Sequence, residues 1–422
     1  MNFFTRYKKI FLIFAFLVLV IFLAYLIWNF FFKEVVSPVV ESPIATGTIQ
    51  GLPISEPGSI TNLDFTEDPG LPSSSDLPGG GVGGIGTGDS AKGLIDNRAV
   101  GGLTKTELVN KTPAVGITIN KSGQVQYYDS ADGKFYRLDS NGHKVALSDQ
   151  VFYSVSHVNW APKSDKAVLE YPDGSNILYN FTTKKQVTLP AHWKEFSFSP
   201  SGDKLASKSV AIDPDNRYII VSNDDGSESK AIEKFGNNDN TTYVSWSPNN
   251  QIVAMYTRGV DTNRQEVFFI GLNDENFKST TIEGRGLQYQ WSTKGTKLLY
   301  SVYNTNDNSN PRLWIVDASG DNIGQNRRSF NLQTWASKCT FASDTEIYCA
   351  VPNKLPEGAG LFPELADYTE DSLYKIDLNT GSQKLIAIPN GSYNISQVIV
   401  SENQDYLYFT DKFSGSIYKI DL

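Results

Sequence analysis

Seven times along the chain a bulky apolar residue closes a short run, a polar turn follows, and an apolar run begins again. The seven versions superpose as Ile119-Asn-Lys-Ser-Gly123, Trp160-Ala-Pro-Lys-Ser164, Phe198-Ser-Pro-Ser-Gly202, Trp246-Ser-Pro-Asn-Asn250, Trp291-Ser-Thr-Lys-Gly295, Phe341-Ala-Ser-Asp344 and Val400-Ser-Glu-Asn-Gln404. Successive anchors lie 41, 38, 48, 45, 50 and 59 residues apart, a period that marks repeated supersecondary units rather than one irregular domain.

Each anchor is followed by a strand-like run and then by a second one, as in Leu313-Trp-Ile-Val-Asp317, Leu373-Tyr-Lys-Ile-Asp377 and Ile417-Tyr-Lys-Ile-Asp421. A third, more polar run follows in the first six units, for example at 185–189 and 383–387. With Asp-Gly and Ser-Gly-Asp turns between them, these runs read as four short antiparallel strands per repeat. Four such strands form one blade of a radial, all-β propeller. The seventh unit lacks its outermost strand, and Lys105-Thr-Glu-Leu-Val109 precedes the first anchor without a partner of its own. If that segment completes the last blade, no open edge is left for aggregation. The expectation is a seven-bladed propeller over residues 105–422, with a six-bladed ring as the alternative.

The turn Trp/Phe-Ser-Pro-x-Gly/Asn, followed by an apolar strand and a Tyr-x-Ile-Asp strand, resembles the TolB-type and related WD-like propeller repeats. Phe198-Ser-Pro-Ser-Gly-Asp-Lys-Leu-Ala206 matches best. The resemblance implies a propeller fold, shared by binding proteins and by the propeller lids of some peptidases.

Composition agrees with a β-rich fold, because 24 Phe, 21 Tyr and 7 Trp stand against 3 His and 2 Met. The net charge of −9 is uneven: residues 1–36 carry +3, residues 37–104 carry −6, and the remainder carries −6. A large, mildly acidic domain has no electrostatic footprint for nucleic acid. Residues 10–32 contain no charged side chain, and at helical rise they would span roughly 34 Å, enough for a hydrocarbon core of about 30 Å. Arg6, Lys8 and Lys9 precede this run, so residues 1–9 are expected in the cytoplasm and the rest outside it. The rival, a cleaved secretory signal, has a shorter apolar core and a small-residue cleavage pattern that Trp28-Asn-Phe-Phe-Phe32 does not provide. Residues 33–104 are rich in Pro and Gly and read as a disordered tether. As a coil, its 68 residues from 37 to 104 would reach roughly 45 Å.

Little in the sequence points to catalysis. His143, His157 and His192 are far apart, and no Gly-x-Ser-x-Gly elbow occurs. The turns Asp213-Pro-Asp-Asn216, Asn237-Asn-Asp-Asn240 and Asn304-Thr-Asn-Asp-Asn308 lack the glycine and glutamate of an EF-hand loop, and Asn and Asp are ordinary turn residues. No cofactor is expected. Cys339 and Cys349 each lie five residues from Asp344, so a hairpin there would set the two strands face to face. Outside the cytoplasm a disulfide is the expectation, with two buried thiols as the alternative. The connection between the second and third strands is longest in the sixth unit, residues 352–371, where it carries Leu355, Leu361, Phe362, Leu365 and Tyr368. Apolar residues on a long loop of a rigid scaffold suggest a binding surface, unless the loop folds back over them. The expected function is an anchored scaffold for an envelope protein or a wall polymer; the alternative is a propeller hydrolase or lyase.

Overall fold

The computed structural model describes residues 16–23, 25, 95–139, 142–163 and 165–422. Two separate units are present, Met1–Gly86 and Thr87–Leu422. In the first, residues 16–23 are helical and their apolar side chains are exposed. No helix among the described residues is long and apolar enough to cross a membrane. Most of the expected 10–32 span, and most of the 33–104 tether, lie outside the described residues.

The second unit is built from seven sheets, six of four strands and one, blade six, of five. Blade one comprises Ala114–Ile119, Val125–Asp129, Lys134–Leu138 and Lys144–Ala146. Blades two to five repeat this antiparallel order from His157–Trp160 through Arg328–Ser329. Blade six runs from Cys339–Phe341 through Glu346–Pro352 and Asp371–Asp377 to Gln383–Pro389, and blade seven contains Ile395–Val400, Tyr406–Asp411 and Ile417–Asp421. The first strands of several neighbouring blades touch one another, as the inner wall of a radial ring requires.

The recurrent turn has a physical cause. In blade four the buried Ser247 closes the turn twice: its N–H donates to Ile252 O at 2.8 Å, and its hydroxyl accepts from Ile252 N–H at 2.9 Å. Ser199, Ser292 and Ser401 repeat both bonds with Lys204, Lys297 and Tyr406. Three residues after each serine the chain takes a left-handed conformation, at Gly202 (φ 78°), Asn250 (62°), Gly295 (68°) and Gln404 (56°). That geometry explains why Gly and Asn recur at this place.

The core lies between adjacent blades. Between blades one and two, Phe135 meets Phe152, Trp160 and Phe181 edge-on at centroid distances of 5.5, 5.6 and 4.9 Å. Such packing gives aromatic side chains their large buried area and accounts for the aromatic-rich composition.

Ring closure follows the expected plan with one addition. Glu107–Asn110 pairs antiparallel with Ile417–Asp421 and supplies the missing strand of blade seven, shifted by two residues from the 105–109 segment read in the sequence. Just upstream, Leu103–Thr104 adds a parallel fifth strand to the outer edge of blade six. Arg98 donates from Nε and Nη2 to Leu422 O at 3.0 and 2.6 Å. Residues 95–104, assigned to the tether by composition, therefore pack on the ring; the segment is too short and irregular to show a strand period. The second and third strands of blade four, Ala254–Gly259 and Arg264–Ile270, leave only the short turn 260–263 between them.

Candidate functional site

In an up-and-down blade the links between blades and the connections between second and third strands share one face. On that face three stretches converge: the single turn Ala336–Lys338 leading into blade six, the end of the 353–370 connection, and Asn394 at the start of blade seven. The Lys338 ammonium lies 3.1 and 2.9 Å from the two carboxylate oxygens of Asp371 and 3.3 Å from Asn394 Oδ1. The side chains of Lys338 and Asp371 are 9% and 0% exposed. Ile395 N–H donates to Asp371 Oδ2 at 2.6 Å, and Asn394 Nδ2 donates to Ala366 O and Asp367 O, both at 2.8 Å. Burial pushes the Lys338 ammonium below its ordinary pKa, with Asp371 opposing the shift. Burial likewise pushes the Asp371 carboxyl up, with Lys338 opposing. Desolvation outweighs mutual attraction on both sides of the pair.

This network holds the long connection in place. Within it the single turn Pro363–Ala366 is clamped by Asn394, while Gly358 and Gly360 N–H groups donate to Asn308 O and Ser309 O of blade five at 2.9 and 2.8 Å. A side chain at Gly360 would meet Tyr303 Cβ at 2.5 Å, so the loop approaches blade five as closely as glycine permits. Leu355 is partly buried and packs against Trp335, Ala359 and Ala366. Leu361, Phe362 and Leu365 stay about half exposed, and Tyr368 is 91% exposed. Tyr368 stacks on Phe413 of the blade-seven hairpin at 5.7 Å between centroids and 28° between planes. The neighbouring residues Asp367 and Lys412 form an ion pair.

Beside this ridge is a cavity of about 200 Å³ lined by Gln288, Trp335, Ser337, Lys338, Asp367 and Lys412, among others. Its walls were not legible in the sequence, because nothing local distinguishes a lysine that will be buried from one that will be solvated. A second buried lysine, Lys208 of blade three, is held by Glu195 Oε1 at 2.7 Å and Asp239 Oδ1 at 3.0 Å.

The remaining candidates do not converge. His143 is exposed beside Asp139, His157 begins the inner strand of blade two, and His192 precedes blade three. Asp213 and Asn304 cap single turns through Asp215 N–H and Asp307 N–H. Among the described residues no group of three or more His, Cys, Asp or Glu side chains is placed to hold a metal ion. Cys339 faces Cys349 directly in the register of blade six, with both side chains buried and their sulfurs 2.17 Å apart.

No family model and no curated protein matches the chain. Among solved structures, an oligogalacturonate lyase in complex with manganese is 12% identical, with 75% of this chain and 90% of that one covered and a TM-score of 0.48. The β-propeller domain of Cps50 (Swd1) from Myceliophteria thermophila is 11% identical over 75% of this chain and 98% of its own, with a TM-score of 0.49. The tricorn protease is 10% identical over 75% of this chain and 34% of its own, with a TM-score of 0.46. These likenesses concern architecture alone and say nothing of activity. By its own strand order, the chain is a seven-bladed β-propeller.

Proposed function

We propose that the chain is a membrane-anchored binding platform, carrying its propeller outside the cytoplasmic membrane and offering the blade-six face to an envelope protein or wall polymer. The observation that carries this reading is the Tyr368–Phe413 stack: two large aromatic side chains, 91% and 62% exposed, on a loop fixed from beneath by buried hydrogen bonds. Exposed aromatic surface on a rigid base is a common basis for recognition, since little ordering entropy remains to be lost on binding. The apolar, uncharged run at 10–32 and the exposed side chains of residues 16–23 support the anchor. The turn of blade three, Phe198-Ser-Pro-Ser-Gly202, supports a TolB-type affinity for the repeats.

The alternative, a propeller hydrolase or lyase, would draw on the buried Lys338–Asp371 pair. Those groups are already engaged with each other, with Asn394 and with Ile395, which favours a structural use. The test is capture of envelope components by the immobilised full chain, compared with a Tyr368→Ala/Phe413→Ala variant. Loss of a captured component in the variant supports the platform; capture that is unchanged for every component refutes it. Deleting residues 352–371 is a poor test, because it removes Asp371 and with it the support of blade seven.

A further inference from the structure

The cavity beside the aromatic ridge has properties that specify a ligand. We infer that it receives one uncharged sugar residue of a longer glycan. This inference rests on the binding-platform reading and narrows it from polymer to glycan.

Size is the first constraint. At about 200 Å³ the cavity is smaller than the roughly 300–1,000 Å³ occupied by drug-sized ligands, so it suits a single ring rather than a folded peptide. Charge is the second. The two ammonium groups of the wall, on Lys338 and Lys412, are each paired with a carboxylate: Lys338 with the fully buried Asp371 outside the lining, Lys412 with Asp367 of the wall. A charged ligand would have to break one of these pairs and leave a half-buried charge uncompensated, whereas a neutral one leaves both intact.

Hydrogen-bonding chemistry is the third. Gln288 Oε1 accepts from Ser337 Oγ at 2.9 Å, which leaves the Gln288 NH₂ group without a protein partner among the described residues. The Asn394 side chain, by contrast, is fully engaged by Lys338, Ala366 and Asp367 and acts as fixed wall. Trp335 and Pro363 provide apolar surface next to these donors and acceptors. An apolar wall beside an amide, a hydroxyl and paired charges complements a ring with C–H bonds on its faces and hydroxyls on its edge. Asp367 and Lys412 of the wall each precede a member of the Tyr368–Phe413 stack, which sets that stack next to the cavity, where a longer glycan could reach it.

The test is calorimetric titration of the full chain with chitotetraose in its N-acetylated form and with maltotetraose, against tetragalacturonate and inorganic phosphate as anionic probes. The expected result is sub-millimolar binding of a neutral tetrasaccharide, changing less than about threefold between about 0.05 and about 0.5 M salt. Gln288→Ala and Ser337→Ala should each weaken it by about tenfold or more with the melting temperature unchanged. Failure of both neutral probes at about 10 mM, tighter binding of an anionic probe, or full affinity in both variants would overturn the assignment. If the sugars fail while envelope capture still requires Tyr368 and Phe413, the cavity assignment falls alone. If capture fails too, the platform reading falls with it.

Discussion

The ammonium of Lys338 sits 2.9 Å from Asp371 Oδ2, and the two side chains join the entry to blade six with the far end of its long connection. Breaking a buried pair on one side leaves an uncompensated charge, so Lys338→Met should cost about 3–5 kcal/mol. Adding Asp371→Asn should restore most of that loss, because asparagine keeps an acceptor for the Ile395 N–H while removing the charge. The pH dependence has a definite sign. In Lys338→Met the carboxyl of Asp371 stays buried and its pKa remains above the ordinary value of 3.8. The folded state then holds a proton that the unfolded state has lost, so stability falls as pH rises through that window. Urea unfolding should show a smaller deficit for Lys338→Met at about pH 4 than at about pH 7.

Closure of the ring makes a prediction about truncation. Removing residues 1–94 leaves both N-terminal strands in place and should leave the melting temperature of the second unit unchanged. Removing residues 1–111 also takes away Leu103–Thr104 and Glu107–Asn110, exposing the edges of blades six and seven. The shorter protein should melt earlier and sediment as aggregates, as unpaired strand edges do.

The cysteine pair predicts a redox-dependent stability. Cys339 and Cys349 are separated by 10 residues, and a cross-link of that span contributes about 2–3 kcal/mol in the chain-entropy account. Alkylation of the unfolded, unreduced protein should label neither cysteine, and reduction should lower the unfolding midpoint correspondingly. Two labelled cysteines without reductant would contradict the cross-link.

The turn serines carry a prediction that the aromatic anchors do not. Ser247→Ala removes the acceptor for the buried Ile252 N–H and should cost about 1–3 kcal/mol. Asn250→Gly at the left-handed position of the same turn should cost less than that, because glycine adopts φ 62° without steric cost but leaves the Trp246 indole N–H without its Asn250 Oδ1 acceptor at 2.8 Å. A stability change of equal size in both variants would contradict this reading of the repeat.

These examples show why the architecture was readable and the site was not. The blade turns recur because each needs the same local items, a bulky residue closing the inner strand, a serine such as Ser247 and a left-handed residue such as Asn250. Local requirements leave a periodic trace. The burial of Lys338 depends on Asp371 and Asn394, and that of Lys208 on Glu195 and Asp239, all brought near by the ring rather than by sequence. The same applies to Leu355, apolar like Leu361, yet partly buried because it packs against Trp335 and Ala366. Tyr368 is legible in sequence as an aromatic on a long connection, whereas its stacking partner Phe413 is on another blade and carries no sequence signal.

Residues 95–110 have a double position: they lock the ring, and they are the point where the propeller joins the preceding chain. Tension along that chain would reach Arg98 and the two-residue parallel pairing of Leu103–Thr104 before it reached any blade core. A pull that released those contacts would still have to break the antiparallel pairing of Glu107–Asn110 with Ile417–Asp421 before blade seven opened.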